Sequence, residues 1–229
     1  MRRIVGLVGG AMLAAGMALA QDPAVVDPAH VKVEFQSEQV RVLRIRLGPH
    51  EKLPFHGHPA RVIVFLTDNH NRSRTADGKV QEMNARAGQV LWTEPLTLPH
   101  VVETGDRATE TIEVELVGKP GAALPAPSPD PVKVDPKHCK VEFENDLVRV
   151  LRWTVPPHEK VPLHEHGPGV SVLLTDLWIK GVEVDGKPTE SKATAGTVAW
   201  GAGHRHADEN ASDNPLEVIH VEMKRAASQ

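Results

Sequence analysis

Apolar and polar residues alternate along several short segments of this chain. The alternation is clear at residues 31–35 and again at 112–116, where valine, isoleucine, leucine and phenylalanine occupy every second position. Side chains two residues apart on a strand share one face, so this period predicts strands with one buried face. Residues 61–67 form a short β-branched apolar run, which is typical of a buried strand.

The turn signals agree with a β structure. Asp77-Gly78 and Asp185-Gly186 are favourable hairpin turns, because glycine accepts a positive φ angle. No stretch has the period of a long amphipathic helix. Many short strands without intervening helices predict an all-β fold, either an antiparallel sandwich or a jelly roll.

The sequence contains an internal repeat with an offset of 108 residues. The matching segments are 27–35 with 135–143, 40–44 with 148–152, 49–52 with 157–160, 66–68 with 174–176, and 77–79 with 185–187. Trp92 and Trp200 match at the same offset. A two-residue deletion then shifts the register, so that His100 aligns with His206. The repeat predicts two copies of one structural unit.

A proline-rich and alanine-rich segment at 118–131 separates the two copies. Prolines stiffen a chain and remove backbone donors, so this segment is predicted to be a semi-rigid linker. The predicted domains are 26–117 and 132–225.

The first twenty residues are typical of a secretory signal peptide. Arg2 and Arg3 precede an apolar stretch that ends in Ala18-Leu19-Ala20, a small-residue cleavage pattern. We therefore expect export to the periplasm or the medium and a mature form without a membrane segment. Without these two arginines, 24 of the 26 basic residues and all 30 acidic residues remain, which gives a net charge of −6. This balance argues against nucleic acid or an anionic membrane as a partner.

A single cysteine, Cys139, excludes an internal disulfide, and its place on an alternating face predicts a buried apolar residue. Packed cores must therefore stabilise the fold. The sequence leaves the oligomeric state open.

Histidines carry the candidate chemistry. His56 and His58 can point to the same side of a strand, and so can His164 and His166. His100 and His206, each after a Gly-x-x-x-Trp segment, are placed to supply a third imidazole to each pair. Imidazole nitrogens are ligands for Fe, Zn, Cu, Ni and Mn.

Two motifs resemble those of the cupin family. Residues 48–58 resemble the first cupin motif, a glycine-led turn that runs into His-x-His. Residues 88–92 followed by His100 resemble the second, and the second copy carries a His-x-x-x-Asn ending at 206–210. The resemblance covers nearly all of the mature chain. It implies a bicupin with two tandem double-stranded β-helix (jelly-roll) barrels and a metal inside each.

The sequence departs from the family pattern at one ligand. The cupin site has a glutamate four or five residues after His-x-His, but those positions hold Val62 and Ile63, and Val170 and Ser171. The resemblance therefore implies three-histidine sites. Loss of the glutamate argues against the oxalate chemistry associated with a manganese cupin site. The expected cofactor is a divalent transition metal (Fe, Zn, Ni or Mn), with Zn²⁺ or Fe²⁺ favoured over the oxygen-preferring Mn²⁺.

Three functions follow from these observations as hypotheses. The first is an exported bicupin enzyme, an oxygenase, isomerase or hydrolase that acts on a small, oxygen-rich molecule, since three neutral ligands leave metal positions open. The second is a non-catalytic protein that binds a small ligand. The third is a structural cupin with vestigial metal sites. No catalytic residue is assigned, and the substrate is unknown.

The interior of each predicted barrel would distinguish these hypotheses. An enzyme predicts an open polar cavity at the histidines, a binding protein predicts an apolar pocket, and a vestigial site predicts a filled barrel. Glu103, Asp208 and Glu209 flank the third histidines and are candidates to orient them. His204 is expected at the surface or behind a ligand, and His220 is expected to be exposed.

Overall fold

The computed structural model describes residues 22–228, and most of that range is β-strand. The predicted signal peptide lies outside the described residues. Two four-residue helices, α1 (Pro23–Val26) and α2 (Pro131–Val134), begin after aspartates whose side chains accept a backbone N–H two residues later. Across residues 22–228, no helix has the length and hydropathy needed to cross a bilayer.

Nine strands follow α1 in the first half of the chain, which we define as residues 22–117. These strands are β1 (Val31–Gln36), β2 (Val40–Leu47), β3 (Lys52–His56), β4 (Arg61–Phe65), β5 (Asn69–Thr75), β6 (Val80–Ala85), β7 (Val90–Thr93), β8 (His100–Thr104) and β9 (Thr109–Leu116). They form a five-stranded sheet of order β1-β2-β9-β4-β7 and a four-stranded sheet of order β3-β8-β5-β6. Every pairing is antiparallel.

A short strand, β10 (Pro120–Ala123), links this half to the second half, which we define as residues 130–223. The second half contains β11 (Cys139–Glu144), β12 (Val148–Val155), β13 (Lys160–His166), β14 (Gly169–Leu173), β15 (Leu177–Glu183), β16 (Pro188–Ala193), β17 (Val198–Gly201), β18 (His204–Asn210) and β19 (Leu216–Met223). Its sheets have the orders β11-β12-β19-β14-β17 and β13-β18-β15-β16, the same topology as in the first half. The fold is therefore all-β, and each half has the two antiparallel sheets of a jelly roll.

The predicted hairpins are confirmed. Gly78 has a φ angle of 88° in the turn between β5 and β6, and Gly186 has a φ angle of 84° between β15 and β16. Within the segment predicted as a linker, β10 pairs with β20 (Arg225–Ala227) near the end of the chain. This part of the segment is thus held by a sheet pairing with the chain end.

Strand register identifies equivalent positions in the two halves. Glu113 on β9 pairs with Leu43 on β2, and His220 on β19 pairs with Leu151 on β12. Because Leu43 and Leu151 are repeat positions, Glu113 and His220 are equivalent, with an offset of 107. The same register makes Glu115 equivalent to Glu222.

The five-stranded sheets pack against each other through one shared core. On β2, Val40 and Val42 point into this core, whereas Leu43 and Ile45 point into the first jelly roll. The shared core joins fully buried valines and isoleucines of both halves, among them Val150 and Ile219 on the second. The two halves therefore bury each other's apolar faces.

Aromatic and arginine contacts cross between the halves in equivalent pairs. Phe35 stacks on Trp200 with ring centroids 5.4 Å apart, and Trp92 stacks on Phe143 at 5.8 Å. Both tryptophans thus belong to the packing between the sheets.

Two arginines add a second pair of contacts across the same interface. Arg44 donates a hydrogen bond to the carbonyl of Gly196, and Arg152 donates one to the carbonyl of Gly88. Each guanidinium also pairs with glutamates of its own half. Both guanidinium charges in the interface are therefore paired with carboxylates.

Candidate metal centres and ligand cavity

His56, His58 and His100 lie together inside the first half. His56 and His58 are buried, and the ring centroid of His56 is 4.7 Å from His58 and 4.5 Å from His100. Strands β3 and β8 create this cluster, because His56 pairs directly with His100 across the sheet. Their Nε2 atoms are 3.1 Å apart.

His164, His166 and His206 form the equivalent cluster in the second half. His164 pairs with His206 between β13 and β18. The ring centroid of His164 is 4.7 Å from His166 and 4.5 Å from His206, nearly the same distances as in the first half. The Nε2 atoms of His164 and His166 are 2.9 Å apart.

Backbone and carboxylate groups orient these rings. Nδ1 of His56 donates to the carbonyl of Pro54 at 2.6 Å, and Nδ1 of His164 donates to that of Pro162 at 2.8 Å. The Nε2 lone pair of each ring then points toward the other histidines. Nδ1 of His206 lies 3.0 Å from Oδ2 of Asp208, and its buried Nε2 has no hydrogen-bond partner.

These arrangements fit a divalent transition metal. Zn²⁺ binds imidazole nitrogen at about 2.0–2.1 Å, so two ligand atoms on one ion are about 3 Å apart. The separations of 2.9 and 3.1 Å between Nε2 atoms agree with this geometry. A metal ion would also give the buried Nε2 of His206 the partner that it lacks. Both clusters could hold an ion.

Burial lowers the pKa of five of the six candidate ligands and so favours their neutral form, which binds metal. It lowers the pKa of His56 to about 4, of His58 to about 3 and of His100 to about 2. In the second half, burial lowers the pKa of His164 and lowers that of His166 well below the ordinary value. Protons therefore compete weakly with a metal at neutral pH.

Buried carboxylates lie behind the second histidine of each pair, a feature that the sequence analysis missed. Oε1 of Glu115 is 2.7 Å from Nδ1 of His58, and its other oxygen accepts from Nε of Arg41 at 2.7 Å. Oε1 of Glu222 is 4.0 Å from Nδ1 of His166. Both glutamates are almost fully buried, and burial raises the pKa of each. A negative charge beside neutral ligands favours a cation.

The expectation that His220 is exposed is wrong. His220 is 6% exposed, and its ring centroid lies 4.8 Å from that of His166. Its strand belongs to a sheet with two packed faces, so alternation with apolar neighbours does not place it at the surface. Nδ1 of His220 is 2.8 Å from the hydroxyl of Ser171, its cross-strand neighbour, and Nε2 has no hydrogen-bond partner.

The other residues singled out in the sequence lie in different surroundings. Asp208 contacts His206, as described above, whereas Glu103 and Glu209 lie near Lys52 and Lys160, away from the histidine clusters. His204 is exposed, and its ring centroid is 4.1 Å from that of His206. Cys139 is fully buried among apolar side chains, and burial raises the pKa of its thiol.

A cavity of about 440 Å³ opens onto the three histidines of the second half. Its walls are largely apolar and are formed by residues such as Trp153, Val155, Leu177, Ile179 and Leu216. The polar groups on the walls are the histidines, Asp208, Glu183 and several hydroxyl and amide side chains. No lysine or arginine lines this cavity.

Smaller side chains explain the space in the second half. Ser171 and Ala199 are cross-strand neighbours, and the equivalent neighbours in the first half are Ile63 and Leu91. Likewise, Ser191 occupies the position of Met83. The larger first-half residues pack into a cluster with Phe65 and Ala85. The same fold is therefore filled in one half and open in the other.

Comparisons with known proteins identify the fold. AerE from Microcystis aeruginosa superposes with a TM-score of 0.62 at 14% sequence identity, covering 85% of this chain and 93% of that chain. An oxalate decarboxylase variant from Bacillus subtilis gives a TM-score of 0.58 at 13% identity, covering 100% of this chain and 88% of that chain. A second structure of the Bacillus subtilis enzyme, which concerns its Mn(II) centres, gives 0.54 at 14% identity, covering 84% and 71%.

These similarities support the cupin fold expected from the sequence motifs. Because all three identities are 13–14%, they show the fold alone. No family model matches the sequence. No curated protein matches it.

Proposed function

We propose that this chain is an exported bicupin that binds a divalent transition metal at each three-histidine cluster and acts on a small molecule in its second half. The observation that carries the proposal is the cavity that opens onto His164, His166 and His206. The first half, whose interior is filled by larger side chains, is then a metal-binding scaffold for the second.

The cavity lining indicates the class of molecule. Apolar walls favour an apolar body, and the histidine cluster at one side favours a single polar end. Oxalate is a small dianion with no apolar part, and no cationic side chain lines the cavity to pair with it. We therefore propose an uncharged ligand with an apolar body and one oxygen-bearing group, in place of the oxygen-rich molecule that the sequence motifs suggested.

The residues have separable roles in this proposal. Three neutral imidazoles would hold the ion, and a bound ion would supply Lewis acidity to an oxygen of the ligand. The Pro162 carbonyl and Asp208 orient His164 and His206. Ser171 and His220 lie on the wall beside His166 and can exchange a hydrogen bond with the polar end of the ligand.

Metal analysis tests the first part of the proposal. We would load the chain that begins at Gln21 with Fe²⁺, Zn²⁺, Ni²⁺ or Mn²⁺, remove free metal and measure the bound metal by elemental analysis. The variants H56A/H100A and H164A/H206A are a matched pair, since they remove equivalent ligands. Each is expected to lose the ion of its own half. A wild-type chain that stays metal-free after loading would contradict the proposal.

Ligand binding and turnover test the second part. We would measure the thermal shift of the metal-loaded chain with phenol and benzyl alcohol, two neutral apolar probes that each carry one oxygen, and with oxalate as an anionic probe. The neutral probes are expected to stabilise the wild type but not H164A/H206A. Oxygen consumption and product analysis with bound probes would then detect catalysis.

The alternative is a non-catalytic small-molecule-binding cupin, which the apolar lining of the cavity favours, whereas open metal positions beside that cavity favour an enzyme. It predicts the same metal content and the same thermal shifts, without consumption of any bound probe. The third hypothesis, a vestigial site, finds support only in the filled interior of the first half.

A further inference from the structure

We propose that the second half contains an additional divalent-cation site, formed by His166, His220 and Glu222 next to the three-histidine cluster. The site goes beyond the proposed function, which assigns no ion to His220 or Glu222. Each of the three residues offers one ligand atom, and these atoms all lie within 4.8 Å of one another.

The spacing suits an ion between the side chains. Nδ1 of His166 lies 4.0 Å from Oε1 of Glu222, too far for a hydrogen bond. Two ligands that each lie about 2.0–2.2 Å from a tetrahedral Zn²⁺ ion are about 3.3–3.6 Å apart. The gap between His166 and Glu222 is therefore about 0.5 Å wider than the span of two ligands on one cation, a difference that a small side-chain rotation would close.

Each of the two imidazoles has one buried nitrogen without a hydrogen-bond partner. Nδ1 of His166 and Nε2 of His220 are both buried and make no hydrogen bond. Glu222 is 2% exposed, accepts from the backbone N–H of Gly167, and lies 3.8 Å from Arg149, a guanidinium that is already paired with Asp130. A buried carboxylate beside two unpartnered imidazole nitrogens is an environment that a cation stabilises.

In the first half, direct side-chain contacts occupy the same position. There, His58, Glu113 and Glu115 also place one ligand atom each within 4.8 Å of one another, but Nδ1 of His58 is already at hydrogen-bond distance, 2.7 Å, from Oε1 of Glu115. Glu113 replaces His220, and Nε of Arg61 lies 2.8 Å from its carboxylate. The position equivalent to Arg61 is Gly169, so the second half has no guanidinium in this place.

Nitrogen and oxygen ligands of this kind suit Zn²⁺ or Cu²⁺. His166 would bind the cation of the three-histidine cluster through Nε2 and the additional cation through Nδ1. When both sites are filled, the ring proton of His166 goes to solvent.

The test counts the ions bound by a chain that lacks the three-histidine site of the first half. We would titrate Zn²⁺ into the metal-free H56A/H58A chain by calorimetry and count bound zinc by elemental analysis. Two ions per chain are expected. H220A in that background is expected to bind one, and E222Q, which keeps the shape of the carboxylate, is expected to bind the second ion at least tenfold more weakly. E113Q, at the position equivalent to His220, is the matched control and should keep two.

The outcomes separate this site from the three-histidine site. One ion that is lost in H164A/H206A but kept in H220A would overturn the additional site and leave the proposed function intact. One ion that is kept in H164A/H206A but lost in H220A would support the additional site and count against the three-histidine site. Thermal unfolding of each metal-free variant, together with the conservative E222Q change, separates lost binding from lost folding.

Discussion

Nδ1 of His58 lies 2.7 Å from Oε1 of Glu115, and both side chains are buried inside the first half. The other oxygen of Glu115 accepts from Arg41, so the carboxylate is fixed from both sides. This pairing orients the Nε2 atom of His58 toward His56 and His100. A ligand held in this way loses less freedom when it binds an ion.

We therefore predict that Glu115→Gln weakens metal binding in the first half by about 10-fold to 100-fold, the range typical of such orienting groups. The amide keeps the shape of the carboxylate but removes its negative charge. Competition with a metal-binding dye would measure the change in an H164A/H166A background, because His166 belongs to both candidate sites of the second half.

Glu103→Gln is the control for this prediction, because Glu103 pairs with Lys52 at the surface. It should leave the affinity unchanged. Equal affinities for the Glu115→Gln variant and the wild type would show that Glu115 does not orient a metal ligand.

Copying first-half residues into the second half should close the ligand cavity. Ser171→Ile, Ser191→Met and Ala199→Leu introduce the side chains that fill the equivalent region of the first half. The triple variant should lose the thermal shift with phenol and benzyl alcohol but keep the ion at the three-histidine cluster, since it changes none of those ligands. A crystal structure would check that the side chains occupy the cavity. Unchanged probe binding would place the ligand site elsewhere.

The stability of the metal-free chain should fall as the pH drops below about 6.5. In the unfolded chain, histidines protonate near that pH, whereas the folded pKa of His56 is about 4 and that of His58 about 3. Between these values the unfolded state binds more protons, so each histidine lowers the free energy of unfolding by up to about 1.4 kcal/mol per pH unit.

Urea unfolding at about pH 7.5, 6.5, 5.5 and 4.5 would measure how the free energy of unfolding changes with pH across this window. His56→Ala/His58→Ala should reduce this slope. Val33→Ala, a change at a partly exposed position without a titrating group, should not. A wild-type slope equal to that of the double variant would mean that these two histidines do not hold depressed pKa values.

The shared core predicts that both halves unfold together. Val42→Ala and Val150→Ala each remove a fully buried side chain from this core. Each should lower the free energy of unfolding by about 2 kcal/mol and shift one common transition. Differential scanning calorimetry would measure it, and Val33→Ala, at a position that is 39% exposed, is the control. Two separate transitions, only one of which shifts in each variant, would contradict a shared core.

Local patterns predicted most of the fold. Alternation at 31–35 and 112–116 corresponds to β1 and β9, and the two Asp-Gly turns join hairpins. These features depend on neighbours along the chain, which is why the sequence carries them. The assignment of the six histidines as metal ligands stays a prediction, although the fold brings them together as two sets of three.

Contacts between distant strands account for what the sequence analysis missed. Glu115 and Glu222 look like exposed polar residues on alternating strands, yet both faces of their sheets are buried. Alternation cannot separate a solvent face from a second packed face. The expectation for His220 failed for the same reason: Ile219 and Val221 on its strand face the other half of the chain, whereas His220 faces the interior of its own half beside His166.

Neighbouring residues and two aligned segments carry the all-β class, the repeat and the spacing of the histidines, which is why these features could be predicted. The cavity of the second half, and the larger side chains that occupy the equivalent region of the first half, became visible only in the folded chain. That difference depends on cross-strand neighbours such as Ser171 with Ala199 and Ile63 with Leu91, which are far apart in the chain. Cavity volume is a property of side chains that meet only after the sheets have paired.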